Sequence, residues 1–241
     1  MLRRPTRDWY LVIDEFLYWI EEDDGIVSVF QSLWDEKLSG KDVFLVLTGS
    51  SVGLMESQVL DYESPLYGRR SGQRELGELA VGDMQEFLPE YGFEDILRVY
   101  GAVGGIPFYL KEFETHKLFY ENVRGTFLSK VNILHEEAEI LLREELRKPN
   151  VYFNIMEAAI NGATTLNEIS NRSKVDVTNV SKYLNVLERL NLLKREIPVT
   201  EPDKKKNSIY RLDDNYFRFW LKFVYPNQSG IETSPDQVLE A

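Results

Sequence analysis

Two adjacent carboxylates, Asp14 and Glu15, close the apolar run YLVIDEF (10–16). A second apolar run, DVFLVLTGSS (42–51), closes on Thr48, Ser50 and Ser51. A carboxylate pair just past a buried strand is costly unless a cation meets it, because lost hydration shifts its protonation or demands a partner. Phosphates carried with Mg²⁺ are such a partner. A strand-end Asp holds the metal's water shell, the following Glu polarises the attacking water, and a hydroxyl on the next strand contacts the terminal phosphate or that water. Two parallel strands would put both sets at the carboxyl edge of one sheet, where α/β folds bind ligands. The same residues also suit plainer roles: Asp is a good helix N-cap, and Gly49 with Ser50 suits a capped turn. Arg69 and Arg70, in the Gly-flanked loop LYGRRSG, suit a phosphate or, equally, a surface ion pair with one of the chain's many acids.

Composition narrows the chemistry. With no cysteine and only two histidines, His116 and His135, disulfides, thiolate metal sites and His-rich zinc sites drop out, leaving a hard, oxygen-bound metal such as Mg²⁺. Both histidines sit among charged residues and read as surface groups; Tyr109, Phe113, Phe119 and Tyr120 read as core. No apolar run nears the roughly 20 residues of a membrane helix, and MLRRPTRDWY lacks the features of a signal peptide, so the expected location is cytoplasmic, with no membrane partner. The net charge of −12 is unevenly spread. Residues 1–149 hold 16 Lys+Arg against 28 Asp+Glu, whereas residues 150–225 hold 12 against 9, a contrast that points to domains with different partners.

The elements that must position these residues follow from periodicity. Trp9 to Ile13 and the run after Asp42 read as strands covered on both faces, joined by a helix interrupted at EEDDG and stopped near Ser39-Gly40. A short helix through Leu60, a loop over 62–73 and a strand over Arg74 to Leu79 should follow. From Asp83 the pattern turns helical, as in a lid beside the sheet. Pro149-Asn150 marks a boundary. Beyond it come VYFNIMEAAI, TTLNEIS with a Thr165–Glu168 capping box, and VTNVSKYLNVLERLNLL with Val180, Tyr183, Leu184, Leu187 and Leu190 on one face. Two flanks around EPDKKK complete the order of a winged helix-turn-helix. The fold class read from these patterns is an α/β core with a parallel sheet, a helical lid or second layer and a winged helix, mostly helical overall. Its expected divisions are a core over 1–82, a lid over 83–149, a winged helix over 150–225 and a loop-like tail over 226–241.

In that order YLVIDEF, FLVLTGSSVGLME, SPLYGRRSG, YGAVGGIPFYL and SIYRLDDNYFRFWLKFV resemble the archaeal-type ATPase family, a STAND-like branch of the AAA+ nucleotidases. The resemblance implies that the α/β core is a partial P-loop one, with ATP and Mg²⁺ as cofactors, Asp14 as the Walker B and metal-holding aspartate and Glu15 as the catalytic glutamate. It places Thr48 and Ser50 at the sensor position and gives Arg69 and Arg70 to phosphate sensing. Gly105 and Pro107, within Gly104 to Pro107, match a lid motif beside the nucleotide base; without the resemblance they read as a helix–helix turn. One departure matters: G-x-x-x-x-G-K-[ST] occurs nowhere, and Gly40-Lys41 lacks both the upstream Gly and the following hydroxyl residue. In the family that loop lies upstream of YLVIDEF, so the chain is expected to be truncated before it and inactive alone.

The winged segment offers DNA contacts through its third helix, where Asn179, Lys182, Asn185, Glu188 and Arg189 lie away from the apolar stripe, and through Lys204, Lys205 and Lys206 at the wing tip. A protein partner is the alternative, and a homo-oligomer is left open. Two function classes stand at this point: an ATP-driven switch missing its phosphate loop, and a non-catalytic DNA- or protein-binding module on a degenerate ATPase scaffold.

Overall fold

The computed structural model describes residues 9–146, 148–197 and 208–240 and divides the chain into two compact units, 1–76 and 77–241. In the first unit β1 (Trp9–Ile13) pairs in parallel with β2 (Val43–Leu47), from Trp9 opposite Val43 to Ile13 opposite Leu47. Helices α1 (Phe16–Glu22) and α2 (Ile26–Leu33) connect them. The acidic EEDDG breaks the helix as expected: the Asp23 carboxylate accepts the Gly25 N–H at 2.8 Å and turns the chain. After β2 comes the short α3 (Val52–Met55), prolonged by a π turn over Glu56–Leu60. Phe16, Leu17, Ile20, Val27, Phe30 and Val59 form the core, with Ile13, Leu45 and Leu47 packed against it.

That core reaches only the carboxyl half of one sheet face. Contrary to the expectation of a strand covered on both sides, Trp9 is 73% exposed and Val12 60%, and Tyr10 and Leu11 are exposed as well. The helices of this unit do not extend over those side chains, so their apolar character does not bring burial with it.

Among its described residues the second unit is helical apart from one antiparallel strand pair. Its helices are α4 (Phe93–Val103), α5 (Pro107–Leu110), α6 (Phe119–Thr126), α7 (Ile133–Glu145), α8 (Pro149–Ile160), α9 (Leu166–Ser173) and α10 (Val177–Arg189). The antiparallel pair β3 (Leu193–Glu196) and β4 (Ile209–Leu212) follows, then α11 (Asn215–Phe219), α12 (Gln228–Thr233) and α13 (Pro235–Glu240). One apolar cluster runs through the whole unit, from Met84 to Ile231. Pro149 opens α8, where its missing N–H costs nothing. The Thr165–Glu168 capping box is present, with Thr165 N donating to Glu168 at 3.0 Å and Glu168 N to Thr165 Oγ1 at 3.3 Å. No described helix is long and apolar enough to cross a membrane.

Four expectations need correction. Arg74 to Leu79 is not a strand: among the described residues it has no strand neighbour, and only Leu79 N bonds across to the carbonyl of Gly105, at 2.9 Å. The segment from Pro226 is no loop, because Ile231 enters the core and Glu232 and Asp236 form ion pairs with Lys130 and Arg124. His135 is buried, its Nδ1 2.7 Å from the Phe127 carbonyl and its own carbonyl accepting the Trp220 indole N–H at 2.7 Å. Tyr120, read as core, is exposed, whereas Tyr109 and Phe113 are buried.

Candidate functional site

The parallel pairing brings the carboxyl ends of β1 and β2 side by side, and main-chain bonds lock them there. Thr48 N donates to the Ile13 carbonyl at 3.0 Å, and Phe16 N to the Thr48 carbonyl at 2.9 Å. The side chains then pair off. Thr48 Oγ1 donates to the Asp14 carboxylate and accepts the Glu15 N–H at 3.2 Å. Ser50 gives both its N–H and its hydroxyl to Glu15 Oε2, each at 3.2 Å. Neither carboxylate caps α1, so the plainer N-cap role is not the one they play. Glu15 sits at φ 50°, ψ 48°, the left-handed region that costs a non-glycine residue about 1 kcal/mol or more. Backbone strain of this kind concentrates at functional sites, and here it turns the Glu15 carboxylate toward Ser50.

Because Thr48 answers both Asp14 and the Glu15 amide, Thr48→Val should destabilise the first unit by about 1 kcal/mol. Urea denaturation would register this, and Thr48→Ser should recover most of it.

The donors at this edge are all oxygen, which fits Mg²⁺. No described group of three or more His, Cys, Asp or Glu could hold a metal by itself.

Arg69 and Arg70 are otherwise engaged. Arg69 Nε and Nη2 grip the Asp35 carboxylate at 2.8 and 2.7 Å, and its Nη1 donates to the Pro65 carbonyl at 2.8 Å. That hydrogen bonding holds the Asp35 carboxyl below its usual range. Arg70 donates to the Leu60 carbonyl at 2.8 Å and lies 5.8 Å from the centre of the Tyr67 ring. The structure thus joins Asp14 to Thr48 and Glu15 to Ser50, and gives Arg69 the surface ion pair that sequence offered as its plainer role. Asp35, 34 residues away, was not singled out from sequence.

The remaining candidates lie in the second unit. Gly104 takes φ +66° and Gly105 is buried, its N–H donating to the Glu78 carboxylate at 2.9 Å; Pro107 opens α5 and is exposed. Sequence reasoning missed Asp214, which caps α11 by accepting the Phe217 N–H at 2.7 Å. Burial, with the Glu78 and Asp213 carboxylates nearby, pushes its carboxyl up to about 6 against those cap bonds. The doublet Leu-Asp-Asp just ahead of an aromatic helix was the available signal. Asn179 and Lys182 are exposed on α10, and Lys204, Lys205 and Lys206 lie outside the described residues.

A parallel strand pair with acids at its carboxyl edge defines the class as α/β. The family described as an ATPase domain predominantly from Archaea matches residues 1–113. Over 227 residues the chain is 34% identical to the uncharacterized protein MJECL04 of Methanocaldococcus jannaschii, a match that takes in 94% of this chain and 51% of that protein. Over 52 residues it is 42% identical to MJ0424 of the same organism, taking in 21% of this chain and 50% of that one. The chain spans about half the length of the curated relatives it matches. Its fold is similar to that of a Walker-type ATPase of Pyrococcus abyssi, with a TM-score of 0.62 over 88% of this chain and 63% of that one, at 20% identity. The family match thus lies in the first 113 residues, and the likeness to the Walker-type ATPase is one of fold.

Proposed function

We propose that the first unit carries the metal and water end of an ATP-hydrolysing switch. In this reading Asp14 holds the water shell of Mg²⁺, Glu15 polarises the attacking water, and Thr48 and Ser50 orient them. Residues 83–149, with Gly105 and Pro107, correspond to the family's helical lid, and residues 150–225 form a winged helix that relays nucleotide state. The observation that carries the reading is the pairing of Asp14 with Thr48 and of Glu15 with Ser50 at one carboxyl edge. The bound group would supply the phosphate and the metal; this chain's residues orient them and hold the water's proton at the Glu15 carboxylate.

The sequence contains no G-x-x-x-x-G-K-[ST], the motif that supplies a backbone N–H nest, a phosphate-binding Lys and a metal-binding hydroxyl. Titration calorimetry of the chain with Mg-ATP should therefore give binding weaker than low-micromolar, and turnover should be negligible. Low-micromolar affinity would show that other residues cradle the phosphates and would overturn this assignment of labour.

A second reading, a non-catalytic DNA- or protein-binding module on an ATPase scaffold, is favoured by one observation. The Arg69 guanidinium, which a catalytic site would want free for phosphate, is held by Asp35.

A further inference from the structure

The apolar face of α10 is fixed by Val180, Leu184 and Leu187, all fully buried. At about 100° per residue, Lys182, Asn185 and Arg189 fall on the opposite side within an arc of roughly 60° and a length of about 10 Å. All three are exposed, and among the described residues none has a side-chain hydrogen bond or ion pair. Arg98, Arg124, Lys130 and Arg143, by contrast, are each paired with a neighbouring acid. The nearest acids of α10 stand off the stripe, Glu188 half-buried to one side and Asp176 occupied in capping the helix.

Resting on the winged-helix reading of residues 150–225, we infer that the Lys182–Asn185–Arg189 stripe enters the major groove of duplex DNA and that Asn185 reads an adenine there. Two cations bracketing a free carboxamide match a groove in which phosphates line both walls and adenine presents N6 and N7 to a bidentate amide. Double-stranded RNA is excluded by its deep, narrow major groove. The B-form groove, about 12 Å wide, admits a helix. Asn179 lies about 60° beyond Lys182 at 100° per residue and so stands off the stripe.

The test is fluorescence anisotropy of the full chain with a labelled duplex pool of randomised sequence, then with the duplex it selects, across a salt series. Lys182→Ala and Arg189→Ala should each weaken binding to all duplexes alike and lower the salt slope by about one. Asn185→Ala should leave that slope unchanged and cost about tenfold on the selected duplex alone, removing the preference for adenine. All three residues are exposed, so unchanged thermal melting confirms that the variants fold. Duplex binding that ignores all three substitutions overturns the stripe while sparing the DNA reading. Absence of binding to any duplex removes the DNA reading and the stripe together. Loss of affinity without any base preference in the parent chain overturns the role of Asn185.

Discussion

Gly105→Ala is expected to lower the melting temperature of the chain by about 10 °C, through a loss of about 3 kcal/mol. A Cβ on Gly105 would stand 2.1 Å from the Leu79 carbonyl oxygen and 2.8 Å from the Leu79 nitrogen, and both atoms are backbone, which cannot swing aside. Relieving the clash breaks the Leu79 N to Gly105 carbonyl bond, and with it the grip of Glu78 on the Gly105 N–H, each 2.9 Å long. The same substitution four residues earlier should act in the opposite direction. Gly101 lies inside α4 with nothing within 4 Å of its would-be Cβ, so Gly101→Ala should stabilise by about 1 kcal/mol through helix propensity alone. Calorimetric melts of the two variants separate a close backbone approach from a general intolerance of alanine, and equal shifts would refute the crowding at Gly105.

What could be read in advance was local. Trp9 to Ile13 and Val43 to Leu47 declare strands by their β-branched and aromatic content, and EEDDG declares a break, because each signal lies within a few residues of what it controls. The Thr165–Glu168 box and the stripe of Val180, Leu184 and Leu187 are legible for the same reason. Asp14, Glu15, Thr48 and Ser50 could be placed at one edge because parallel pairing follows from the strand–helix–strand order. What failed depended on distant partners. Arg74 to Leu79 reads as a strand but finds no strand beside it. His135 reads as polar surface because Glu136 and Glu137 follow it, yet it lies next to the buried Leu134, Ala138 and Leu142 row, and Trp220, 85 residues on, closes over its carbonyl. The tail reads as loop from Gln228 and Ser229, and only the seat of Ile231 in the core makes it helix. The choice of Asp35 as partner to Arg69 is likewise a tertiary fact with no local trace.

Asp214 gives the second large effect, and its sign is fixed by the direction of its shift. Burial and the Glu78 and Asp213 carboxylates raise the folded carboxyl from 3.8 to about 6, so the folded state binds a proton more tightly than the unfolded chain. Ionising it therefore costs stability: the second unit should gain stability as pH falls from about 7 through the folded value near 6. Asp214→Asn keeps an N-cap acceptor for the Phe217 N–H while removing the charge. At pH 8 it should be more stable than the parent by up to about 3 kcal/mol, and at pH 4 nearly equal to it. The aromatic groups packed there, Tyr109 and Tyr216, are held neutral, their hydroxyls pushed up by burial, with Glu137 adding to the negative field. They add no titration in this range. Glu78→Gln should keep the Gly105 N–H satisfied and move the midpoint of the pH dependence downward, since one of the charges opposing Asp214 is gone. Urea melts from pH 4 to 8 on the parent and both variants decide the matter. A parent and an Asp214→Asn variant that trace parallel curves would mean that the proton taken up on folding sits elsewhere.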